Sequence, residues 1–119
     1  MPTNQLKKLV VSDKIRGDEQ LVRKVMHATD LLTEELGPSA GIVEADWRIR
    51  SDDQRRRVIE LNVSDFTGSA SARFSEDELA DEDRRLPWRL SRLWGDLLQD
   101  RSRRQLEKLH HMVDQLEDT

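Results

Sequence analysis

Between Ile42 and Phe74 the chain alternates apolar and polar residues in three successive runs, and a sheet with one buried face satisfies that pattern. Val43, Ala45, Trp47 and Ile49 alternate with Glu44, Asp46, Arg48 and Arg50. Ile59, Leu61 and Val63 alternate with Glu60, Asn62 and Ser64, and Ala70, Ala72 and Phe74 with Ser69, Ser71 and Arg73. Strand side chains have a period of two, so each run sorts into an apolar face and a polar face. The breaks, Ser51-Asp52-Asp53-Gln54 and Asp65-Phe66-Thr67-Gly68, have turn composition.

Charge chooses between registers. Pairing Ile49 with Ile59 and Trp47 with Leu61 sets Arg48 opposite Glu60. A slip that brings Trp47 to Ile59 would oppose Asp46 and Glu60, and opposed like charges are unfavourable. A tight turn at Phe66-Thr67 pairs Leu61 with Ala72 and sets Glu60 opposite Arg73. Glu60 is therefore expected between Arg48 and Arg73 on the outward face. Exposed pairs of this kind are worth roughly 0–1 kcal/mol, so they select register more than they stabilise the fold.

Helical patterns flank the sheet. Asp18 is an N-cap candidate for a helix whose inner face is Leu21, Val25, Thr29, Leu32 and Leu36, and Gly37-Pro38 ends it. Ser75 to Glu78 has the form of a capping box, and Pro87 suits the first position of a further helix. That helix carries two apolar stripes. Leu90, Leu93, Trp94, Leu97 and Leu98 come first, then Leu106, Leu109, Met112, Val113 and Leu116, rotated by roughly a quarter turn at about 100° per residue. The first stripe would cover the sheet. The second resembles a coiled-coil seam of two heptads. Arg101 to Gln105 separate them, at either a bend or a continuous helix serving two partners.

The fold class is thus α+β: an N-terminal helix, a three-stranded antiparallel meander, then C-terminal helices packed on one sheet face. Residues 1–17, where Leu6, Leu9, Val10, Val11 and Ile15 could form a short helix or an added strand, read as a weakly ordered arm, 18–100 as the α+β domain and 101–119 as a helical extension. At 119 residues with 35% hydrophobic and 37% charged residues, core material is thin and oligomerisation would supplement it. Cys is absent, which excludes disulfides, thiolate catalysis and cysteine-based zinc sites. Met1 to Asp18 lack the apolar run of a signal peptide, and no stretch has transmembrane length, so a cytoplasmic protein is expected with no membrane partner. Arginine outnumbers lysine, as in proteins of GC-rich bacterial genomes.

Chemistry-bearing motifs are few. His110 and Asp114 share a helix face at i, i+4, but no third ligand is marked by spacing, so no metal or cofactor is expected. Asp65 fits turn chemistry. Ser69 and Ser71 stand in no nucleophile motif, and the glycines form no phosphate loop. No catalytic residue is assigned, and a non-enzyme is expected. Trp88 lies off the Leu90/Leu93/Leu97 stripe and is a candidate interface anchor, together with Leu106, Leu109, Val113 and Leu116.

The net charge of −4 disfavours a general nucleic-acid or anionic-membrane binder, but its distribution is uneven. An acidic block, Glu76, Asp77, Glu78, Asp81, Glu82 and Asp83, precedes Arg84, Arg85, Arg89 and Arg92, then Arg101, Arg103 and Arg104. The order helix, three strands, helix is similar in topology to double-stranded RNA-binding domains. Such domains use a Gly-Pro-His-like turn after the first strand and a lysine cluster at the start of the last helix. Here the turn is Ser51-Asp52-Asp53-Gln54 and acidic residues crowd the approach to the last helix, so no functional residue carries over. Two functions are therefore expected in order: a domain for protein interaction or self-association, with a protein partner and a second copy of itself, as a homodimer, and a nucleic-acid module using the seven arginines from Arg84 to Arg104.

Overall fold

The computed structural model describes residues 4–81 and 84–117. Met1 to Thr3 of the arm, Glu82 and Asp83 of the acidic block, and Asp118 and Thr119 of the extension lie outside the described residues. The elements are strand β1 (Lys8–Val11), helix α1 (Asp13–Arg16), helix α2 (Glu19–Leu36), a 3-10 turn (Gly37–Ile42), strands β2 (Glu44–Ser51), β3 (Arg57–Ser64) and β4 (Ser69–Phe74), helix α3 (Glu76–Ala80) and helix α4 (Leu86–Glu117).

The fold is α+β, with a four-stranded mixed sheet in the order β1-β2-β3-β4. The expected three-stranded meander is present as β2, β3 and β4, but the arm adds a fourth strand, parallel to β2. Parallel strands need a crossover, and α1 with α2 supplies it between β1 and β2. This departs from the helix-first order on which the likeness to RNA-binding domains rested. Ile15 of α1 is fully buried, so the arm also contributes to the core.

The expected register is found. Trp47 opposes Leu61, Arg48 opposes Glu60, Glu60 opposes Arg73 and Leu61 opposes Ala72. The side chains refine the charge ladder, and one expectation needs correction. Arg48 turns along its own strand to Asp46 (Nε–Oδ1 3.1 Å), which holds its guanidinium pKa above the ordinary value. Glu60 instead takes Arg50, two residues along β2, at 3.5 Å and Arg73 at 3.1 Å. Arg50 reaches it because diagonal neighbours on one face lie within range of long side chains. Burial pushes the Glu60 carboxyl up, and hydrogen bonds from Asn62, Arg73 and Arg50 outweigh this and bring it below the usual range.

The helices cover the opposite face. Asp18 caps α2 through Leu21 N–H (3.2 Å), and Leu21, Val25, Thr29, Leu32 and Leu36 are buried. Gly37 ends the helix at φ 56°, a left-handed conformation that favours glycine. The Ser75–Glu78 capping box forms around α3. The first half of α4 buries Leu86, Leu90, Leu93 and Leu97 against the body. Trp47, Phe74, Ile59 and Leu61 fill the space between the sheet and the helices, with the Trp47 and Phe74 rings 6.1 Å apart.

Candidate functional site

α4 runs as one 32-residue helix through Arg101. What changes there is burial. Every side chain from Ser102 to Leu116 is exposed. The second stripe is therefore not folded back onto α2 or the arm. Leu106, Leu109, Met112, Val113 and Leu116 are 57%, 53%, 53%, 44% and 73% exposed. At 1.5 Å per residue this segment extends roughly 20 Å past the body. At about 100° per residue the Leu106/Leu109/Val113/Leu116 face is turned roughly 140° from the buried Leu90/Leu93/Leu97 face. The seam thus points away from the side on which the helix carries its body.

The departure point is tightly built. Asp65 opens the β3–β4 turn, and its Oδ1 accepts from Thr67 N–H (2.9 Å) and Gly68 N–H (2.8 Å). Its Oδ2 is buried with no hydrogen bond, and its compensation is the Arg101 guanidinium at 3.5 Å. Asp100 accepts from Ser69 N–H (2.8 Å), Arg103 (2.7 Å) and Arg104 (3.0 Å). The Ser69 amide and then Arg103 hold its carboxyl below the usual range. Gly68 is required for the approach, because a Cβ there would stand 2.9 Å from Arg101 N. The sequence shows the turn but not its target, since a contact across more than thirty residues has no local signature.

The other candidate positions are separate from the seam. Trp88 is 65% exposed and, with Arg92 at 6.0 Å from its ring, flanks a 240 Å³ hollow beside β4 that also touches Ser71 and Asp96. Roughly 30 Å of helix divides it from Leu109, so the structure does not join Trp88 to the other four interface candidates. The arginines do not form one basic face. Arg89 lies over the Phe74 ring at 4.2 Å and binds Glu78 and the Arg73 carbonyl. Arg101, Arg103 and Arg104 are bound by Asp65 and Asp100 as above, and Arg84 and Arg85 are exposed in the α3–α4 connection.

A groove of 820 Å³ between the arm and α2 is lined by Leu6, Leu9, Met26, Asp30 and Glu34. Its lining also includes the Thr29 and Thr33 side chains, and no histidine is among its described lining residues. Among the described residues no group of three His, Cys, Asp or Glu side chains is placed to hold a metal ion, and no helix is long and apolar enough to cross a membrane. His111 contacts Gln115 at 3.2 Å, and His27 is exposed on α2.

No protein-family model, curated protein or solved structure matches this chain.

Proposed function

We propose that the protein is a non-catalytic interaction domain that self-associates through the outer half of α4. The observation that carries this reading is the exposed stripe Leu106, Leu109, Met112, Val113 and Leu116 on a segment with no buried side chain. Apolar side chains repeated on one helix face gain by burial against a complementary surface. A helix of this length has marginal stability in water and gains order when its apolar face is packed. Two heptads form a short seam, so the association is modest and concentration-dependent. A two-fold pair is the commonest closed arrangement.

Binding to nucleic acid is the weaker reading, because Arg89, Arg101, Arg103 and Arg104 are engaged by carboxylates of the same chain. Sedimentation of the intact chain across a wide concentration range tests the proposal, with Leu109→Glu/Leu116→Glu as comparison. The expected result is a dimer that becomes a folded monomer in the variant. A monomer in both cases would overturn it. Tight binding to duplex RNA with steep salt dependence would favour the other reading.

A further inference from the structure

We infer that two copies of this chain pair their α4 extensions antiparallel, with Leu106 of one against Leu116 of the other and Leu109 against Val113. The inference rests on the self-association reading and adds its geometry.

The seam is self-complementary on reversal. Its spacing is 3-4-3, and reading it backwards gives 3-4-3 again. An antiparallel copy therefore meets it in register, with a two-fold axis level with residue 111. That spacing alone would also permit a parallel pair, and charge decides between them. The base of the extension holds Arg101, Arg103, Arg104 and Lys108 against one acid, Glu107, whereas its outer turns carry Asp114 and Glu117. Asp100 binds both Arg103 and Arg104, and two guanidiniums on one carboxylate leave a positive surplus. A parallel pair would set base beside base and acidic end beside acidic end. An antiparallel pair lays each acidic end along the other copy's basic base. The helix dipole points the same way. The C-terminal end of a helix favours cations, this one carries acids, and only an antiparallel neighbour brings arginines to it. The bodies leave room, because the seam faces away from the side that packs on the sheet.

The chain has no cysteine, so introduced thiols report contacts directly. Leu109→Cys and Val113→Cys are made as separate chains, oxidised alone and as an equimolar mixture, and scored for covalent dimer. Both positions are exposed, and sedimentation with circular dichroism checks that each chain is folded and associates. The expected result is several-fold more covalent dimer in the mixture than in either chain alone, because position 109 meets position 113 and neither meets itself. Arg103→Glu, in a chain otherwise unchanged, should lower the dimer fraction. Self-linking of each single variant, with no gain on mixing, would show a parallel pair. That would overturn this inference and leave self-association standing. A monomer that links in no combination would overturn both.

Discussion

The indole nitrogen of Trp47 donates a hydrogen bond to the Thr29 hydroxyl at 3.0 Å, and that hydroxyl donates in turn to the Val25 carbonyl at 2.7 Å. Both side chains are buried. The pair ties β2 to α2 across the centre of the core, and Thr29 is the polar member of an otherwise apolar helix face. A buried indole N–H without an acceptor pays its desolvation cost in full.

Thr29→Val should therefore destabilise the fold by roughly 1–3 kcal/mol although it preserves shape. Trp47→Phe removes the donor, so Thr29→Val should cost less in that background. Denaturant unfolding of the four chains of this double-mutant cycle measures the coupling. Additive effects would mean that the bond adds nothing beyond packing.

Two core truncations test opposite ends of the fold. Leu61 and Ile15 are both fully buried. Large-to-small changes at such sites cost about 2–5 kcal/mol, so Leu61→Ala and Ile15→Ala should each lower the urea midpoint by that equivalent. The Leu61 result tests which face of the sheet is covered. The Ile15 result tests whether the residues before α2 belong to the cooperative unit.

These two residues also mark where the sequence was legible. Leu61 stands in a clean alternation, and Glu60 between opposed arginines set its register, so β2 to β4 could be read from local pattern. Lys8 to Val11 carry no alternation, and their pairing with β2 is parallel across two helices. Such a contact is decided by the sheet edge left open at β2, which no local window contains. The partner of Glu60 was read as Arg48 because direct opposition was considered and the diagonal reach of Arg50 was not. The seam residues were legible from their 3-4-3 spacing. Their exposure was not, since it depends on α4 continuing straight past Arg101, where the β3–β4 turn docks.

Acid should act through the outward carboxylates. Asp52, Glu60 and Asp100 all have pKa values lowered in the fold, Asp52 chiefly by the Arg56 amide, Glu60 by Asn62, Arg73 and Arg50 against the opposing effect of burial, and Asp100 chiefly by the Ser69 amide. A lowered folded-state value means that the unfolded chain binds more protons as acid is added. Stability from these groups is complete above the ordinary carboxylate range of about 4 and is lost as the pH falls through the lower folded-state values. Thermal melts from neutral pH downward should show a plateau and then a fall in acid. Glu60→Gln should flatten part of that fall. An unchanged acid profile in Glu60→Gln would remove Glu60 from the account.

The extension should be separable from the stability of the body and inseparable from association. No side chain from Ser102 to Leu116 is buried, whereas Leu97 is fully buried and Asp100 and Arg101 anchor the β3–β4 turn. A chain ending after Arg104 keeps that anchor, including both arginines on Asp100. At low concentration its melting midpoint should match that of the full chain, because no side chain from Gln105 to Leu116 is buried in the monomer. At high concentration the two should diverge. An association that binds only the folded state raises its stability by mass action, so the full chain's midpoint should rise with concentration while the shortened chain's stays fixed. Parallel melting series on the two chains make the measurement. Midpoints that coincide at every concentration would show that the extension contributes nothing through self-association, and a shortened chain already less stable when dilute would show that α4 supports its own body beyond Arg104.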